Sequence, residues 1–232
     1  MKHGVFSRRA GAVAWDIDGT LIDSEPLFRE AMAAVSADYG MDFSTLPPAL
    51  FIGVDLPGIW ELISRMGARP AETGAWVQDV TDYYLDHVPE LTPMPRARET
   101  VAAIAAMGTP QVAVSNSSRA IVEANLNRLE IGRYLRFSIS LDEAGRGKPD
   151  PAPYLLAAEK LNLRPAQMLA VEDSVSGVTS ARAAGMAVIG CGPERAKLTR
   201  AHLVCDDLAM VAQYCRPAES EDETAPRPSP RR

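Results

Sequence analysis

The sequence predicts an α/β fold: a parallel sheet with helices on both faces and a separate helical unit inserted near its start. Short apolar runs at 12–17, 111–114, 136–140, 168–171 and 186–190 alternate with helical patterns after most of them, as a parallel sheet requires. Several of these runs stop in acidic or small hydrogen-bonding residues, and ligands of such sheets bind outside the carboxyl ends of strands. The stretch between the first and second runs is too long for a simple crossover and carries apolar residues at helical spacing over 29–39, 58–66 and 75–88, with Pro and Gly between them.

The first run, Val13-Ala14-Trp15-Asp16-Ile17-Asp18, leads into Gly19-Thr20. Side chains two apart on a strand share a side, so Asp16 and Asp18 at a strand end can both face one crevice and one cation. Crowded carboxylates repel, and a divalent metal relieves that repulsion. This is the layout of a phosphoryl-transfer site, although Gly19 at positive φ and Thr20 as a cap would suit a plain strand-to-turn junction. In the inserted segment, Trp60 and Trp76 fall in helical apolar patterns and are expected in its core.

The second run, Gln111 to Val114, stops in Ser115-Asn116-Ser117-Ser118, a buried strand followed by a helix N-cap. A helix beginning near Arg119 would aim free N–H groups at the crevice. Gly145-Arg146-Gly147-Lys148-Pro149-Asp150-Pro151 cannot be helical through its prolines, so it reads as a rigid loop leading into a helix over 154–161. It lacks the Gly-Lys-Ser/Thr of a P-loop. The fourth run ends in Glu172-Asp173-Ser174, before a helix rich in small residues that stops at Gly185.

Together these segments resemble the four motifs of the haloacid dehalogenase (HAD) superfamily: Asp-x-Asp-Gly-Thr-Leu-x-Asp-Ser, a Ser or Thr at the position of Ser115, Lys-Pro-x-Pro at Lys148, and Glu-Asp-Ser-x-x-Gly at Glu172. The resemblance implies a Rossmannoid sheet of order 5-4-1-2-3 with an inserted α-helical cap of the C1 type. Core segments at 10–26 and 92–216, a cap at 27–91 and a disordered tail at 217–232 are expected. It further implies Asp16 as nucleophile, Asp18 as acid/base, and phosphoryl contacts from Gly19, Thr20, Ser115, Asn116 and Lys148. Mg²⁺ would be held by Asp16, the backbone carbonyl of Asp18, and Asp173, with Glu172 direct or through water.

Within the family it resembles, an Asp at position 18 implies a phosphatase or a phosphomutase, and the cap implies a small phosphorylated metabolite as substrate. β-Phosphoglucomutase-like relatives typically carry a His after the first motif and an Arg in a cap loop, where this chain has Phe28 and Leu56. The missing Arg removes a bidentate phosphate clamp and favours the phosphatase. A catalytically silent binding protein is a third reading, opposed by the complete motif set.

Composition fits this picture. The 232 residues suffice for a sizeable core, and 47% hydrophobic with 23% charged residues is ordinary for a globular chain. A net charge of −6 indicates neither nucleic acid nor anionic membrane as partner. No signal peptide or membrane span is expected, and Cys191, Cys205 and Cys215 lack metal-ligand spacing and suit reduced thiols in a cytoplasm. His3, His87 and His202 are scattered and are not expected to be catalytic.

Overall fold

The computed structural model describes residues 9–43, 46–47, 54–66 and 73–216. The expected tail lies outside them, as do His3 and part of the cap loop before Val54. At its centre is β1 (Ala12–Trp15), flanked in parallel by β4 (Gln111–Val114) and β6 (Met168–Glu172). Outside these lie β5 (Ser138–Ile139) on one side and β7 (Ala187–Gly190) and β8 (Leu203–Val204) on the other. The order β5-β4-β1-β6-β7-β8 is the expected five-stranded arrangement extended by one strand. β8 escaped the sequence reading because two residues, neither of them buried, show no periodicity.

β1, β4 and β6 are buried along their whole length, which is why they read as continuous apolar runs. Alternate side chains serve opposite faces. Val13, Trp15 and Val171 pack with α4 (Ala97–Ala106) and α5 (Arg119–Leu129), whereas Ala12, Ala14 and Val188 pack with α7 (Ala152–Lys160) and α8 (Val175–Ala183). Trp15 donates its indole N–H to Gln111 Oε1 at 2.9 Å, satisfying the one polar atom it buries. α8 stops at Gly185, whose φ of +88° is the left-handed C′ conformation that glycine supplies without strain.

The helical unit leaves and re-enters through an antiparallel ribbon, β2 (Ile22–Asp23) paired with β3 (Thr92–Pro93). Between them run α1 (Glu25–Asp38), α2 (Leu56–Arg65) and α3 (Thr73–His87), close to the expected helical spans. They build a hydrophobic cluster of their own, in which the rings of Trp60 and Trp76 stack at 5.4 Å and Trp76 Nε1 donates to Ser36 Oγ at 3.1 Å. Both tryptophans are therefore core residues of the cap, as their spacing implied. No described helix is long and apolar enough to cross a membrane.

Candidate active site

β1 ends at Trp15, so Asp16 and Asp18 lie in the loop beyond it rather than on the strand, and Asp18 forms an isolated bridge with Ile22. The backbone turns there through Gly19 at φ +81°, and a Cβ on Gly19 would come within 2.1 Å of Asp173 Oδ2. The glycine is thus required twice, for the turn and for the approach of a carboxylate.

Lys148 is buried and donates to three oxygens: Asp16 Oδ1 at 2.6 Å, Glu172 Oε1 at 2.7 Å and the carbonyl of Val114 at 2.8 Å. Burial alone would lower its pKa, but the charges of Asp16 and Glu172 outweigh that and raise it, so the ammonium is kept. Asn116 clamps the lysine loop, accepting from Lys148 N at 2.7 Å and donating to its carbonyl at 3.0 Å. Tyr154 donates its hydroxyl to Glu172 Oε1. The other side of that carboxylate rests on Gly177, where a Cβ would stand 1.9 Å from Oε2. Burial pushes Glu172 up to about 7 against the pull of Lys148, and burial with the charges of Asp16 and Glu172 holds Asp173 well above the usual carboxylate range.

Asp18 is held differently. Its Oδ1 accepts from Ser24 Oγ at 2.8 Å and Asn125 Nδ2 at 2.9 Å, its Oδ2 from Ser115 Oγ at 2.9 Å and Ser117 Oγ at 3.0 Å. Burial and the neighbouring Asp16 raise its pKa despite these donors. Asn125 in turn accepts from Tyr84 of α3 at 2.9 Å, a link from the cap to Asp18. Sequence reasoning missed Asn125, Ser24, Ser117 and Tyr154. Ser24 ends the first motif and Ser117 follows the second, whereas Asn125 and Tyr154 look in sequence like ordinary helix residues.

One carboxylate oxygen each of Asp16, Glu172 and Asp173 lies within 4.8 Å of the others, while the Asp18 side chain stands apart from this cluster. Asp16 Oδ2 is buried with no hydrogen-bond partner. Three acids served by one ammonium, an orphaned oxygen and the glycine-lined space for Asp173 fit a hard divalent cation.

Above this floor is a cavity of about 310 Å³, lined from the core by Asp16, Asp18, Gly19, Asn116, Lys148 and Asp173 and from the cap by α1, the start of α2, and α3. Glu172, Ser115 and Thr20 sit behind its surface. The Thr20 hydroxyl is turned to Cys191 Sγ, 4.0 Å away. The expected serine cap of α5 is replaced: Arg119 N donates to Asp142 Oδ2 of the short helix α6 (Leu141–Ala144) at 2.6 Å, and Ser118 Oγ is buried without a partner. His87 and His202 stand outside the cavity wall, and the three cysteines are free and buried.

The model of the haloacid dehalogenase-like hydrolases matches residues 10–185. The chain belongs to that family. A phosphoglycolate phosphatase of Neisseria gonorrhoeae is 32% identical over 187 residues, covering 77% of this chain and 78% of that one. A phosphorylated carbohydrates phosphatase of Thermotoga maritima is 30% identical, over 75% of this chain and 82% of that one. Among solved structures, CbbY of Rhodobacter sphaeroides in complex with xylulose 1,5-bisphosphate superposes with a TM-score of 0.77 at 21% identity, covering 86% of this chain and 95% of that one. β-Phosphoglucomutase of Clostridium difficile does so at 0.76 and 23%, over 87% and 92%. These two likenesses show the shared HAD fold, while family membership and the phosphatase relatives support a phosphatase enzyme.

Proposed function

We propose that this HAD hydrolase is a Mg²⁺-dependent phosphatase of small phosphorylated metabolites, working through a phosphorylated aspartate. The observation that carries the reading is the asymmetry of Asp16: Lys148 holds one oxygen, and the other is buried with no donor on it. An oxygen in that state is available to a cation or to an electrophilic phosphorus.

Asp16 attacks phosphorus, the bond from phosphorus to the leaving oxygen breaks, and Asp18 gives that oxygen its proton. The raised pKa of Asp18 favours the protonated form this step needs. Asp18, now a carboxylate, takes a proton from water as the water oxygen attacks the aspartyl phosphate. Inorganic phosphate departs, and Asp16 and Asp18 regain their starting states. Lys148 balances charge on Asp16 and the phosphoryl oxygens. Asp16, Asp173 and the Asp18 carbonyl would hold Mg²⁺, with Glu172 direct or through water; bound there, the ion supplies charge neutralisation on the transferring group. Asn116 reaches phosphoryl oxygens from the cavity surface and Ser115 acts through its hydrogen bond to Asp18, whereas Gly19 and Thr20 spend their N–H groups on the carbonyls of Ile22 at 2.9 Å and Ile17 at 3.3 Å and shape the turn.

The substrate class is a small organic phosphate such as phosphoglycolate or a sugar phosphate, free in the cytoplasm. The phosphatase relatives and a cavity of about 310 Å³ support this choice. Phe28 and Leu56 line the wall where a mutase would place His and Arg, so a second phosphate finds no clamp at those positions. The test is a panel of phosphorylated metabolites including β-glucose 1-phosphate, assayed with Mg²⁺ and with EDTA for free phosphate and glucose 6-phosphate. The proposal predicts Mg²⁺-dependent phosphate release; glucose 6-phosphate formed without phosphate release would replace it with the mutase.

A further inference from the structure

Two cations line the cavity among the described residues, Lys148 and Arg29. Lys148 is buried and committed to Asp16, Glu172 and a carbonyl. Arg29 is exposed, and its side chain makes no hydrogen bond or ion pair with any described residue. It lies on α1 with Glu25, Phe28 and Met32, a spacing that puts all of them on one helical face, and all of them line the cavity. Phe28 is fixed by stacking on Tyr84 at 4.3 Å, so this face has a defined orientation. Asp55 and Asp142, acids on the same cavity wall, are each engaged by a backbone N–H, of Gly58 at 2.8 Å and of Arg119 at 2.6 Å. Glu25, the third, stands one turn from Arg29 and is not paired with it.

We propose that Arg29 is a specificity-determining residue that receives a second anionic group of the substrate, so that preferred substrates are small phosphomonoesters whose organic part carries a carboxylate or a second phosphate. This rests on the phosphatase reading. The remaining cap wall, with Met32, Leu56, Ile59 and Val77, offers no other cation among the described residues. A guanidinium meets either anion with two parallel N–H bonds, so an unpaired Arg in a mostly apolar wall discriminates strongly between charged and neutral tails.

The test compares phosphoglycolate, fructose 1,6-bisphosphate and ethyl phosphate as substrates of the wild-type chain, Arg29→Met and Arg29→Lys. The wild type should favour at least one anionic-tail substrate over ethyl phosphate in kcat/KM. Arg29→Met should cut that preference by about 10- to 100-fold through KM, and Arg29→Lys should retain part of it. Whichever anionic substrate loses more identifies the group. A wild-type preference for ethyl phosphate, or an equal loss on all three substrates, would overturn the proposal. Calorimetric binding of the same compounds to full-length Asp16→Asn, with and without Arg29→Met, reads the anion contact without turnover. Discrimination in binding with no hydrolysis would sink the phosphatase reading and keep Arg29; hydrolysis with no discrimination would do the reverse.

Discussion

The floor of the cavity and its cap wall are built on opposite principles. On the floor, Lys148, Asp16 and Glu172 are buried, and Tyr154 and Asn116 secure the network with direct hydrogen bonds. On the wall, Phe28, Met32, Leu56, Ile59 and Val77 offer apolar surface, and the Arg29 side chain has no partner among the described residues. The difference separates two tasks: charges that act on a phosphoryl group must be preorganised and dry, whereas the surface that selects the rest of the substrate needs shape and a few polar points. Changes on the floor should therefore cost both stability and turnover, and changes on the wall should alter preference.

The largest effect is expected at Lys148. Lys148→Met leaves Asp16 and Glu172 buried without their cation. It should lower stability by about 3–5 kcal/mol, read as a fall in denaturation midpoint, and remove nearly all phosphate release. A mildly destabilised variant with wild-type turnover would erase the contrast between floor and wall.

The second effect concerns the cation. Burial raises Glu172 from 4.5 to about 7 and also raises Asp18 and Asp173. A carboxyl with a raised folded-state pKa contributes stability fully below its unfolded value and loses it as pH rises through the folded value. Without a cation, the chain should therefore melt at a lower temperature at pH 8 than at pH 5.5. Mg²⁺ at one fixed concentration, about a hundred times its Kd at pH 8, should restore about 2.7 kcal/mol there, or roughly 5–10 °C, and less at pH 5.5, where protons compete for the carboxylates. Thermal melts with Mg²⁺ and with EDTA at both pH values check this, and an equal or smaller gain at pH 8 would argue against a cation among these acids.

The same contrast decides what the sequence disclosed. The floor was legible because three of its four motifs end or follow a fully buried strand, and buried parallel strands read as unbroken apolar runs before an acid or hydroxyl, while the prolines around Lys148 marked the fourth as a rigid loop. What could not be read were contacts between distant, chemically ordinary residues: Asn125 on Asp18 and Tyr154 on Glu172 belong to helices whose spacing marks them only as inward-facing. The ribbon of β2 with β3 and the edge strand β8 are each two residues long and leave no pattern. Arg29 lay in view, but its lack of a partner among the described residues is a property of the folded chain.

Smaller effects sharpen the boundary. Tyr154→Phe keeps the ring and deletes one donor to Glu172. It should cost about 1–3 kcal/mol and weaken Mg²⁺ binding by about 10- to 100-fold, measured by titrating phosphate release against Mg²⁺. Asp55→Ala removes the cap of α2, whose carboxylate accepts from Gly58 N at 2.8 Å. It should cost only about 1 kcal/mol and shift KM more than kcat, since Asp55 lies on the wall and its carboxylate is engaged by Gly58 N of α2. A large fall in kcat there would mean the wall takes part in the chemistry.

The measurement that bears most directly on the central claim is covalent trapping at Asp16. Wild-type chain mixed with Mg²⁺ and a radiolabelled phosphomonoester that it hydrolyses, then quenched in acid within one turnover, should carry label on the peptide containing Asp16. Asp16→Asn should carry none and release no phosphate. Label on another residue, or undiminished phosphate release by Asp16→Asn, would contradict the aspartyl-phosphate account.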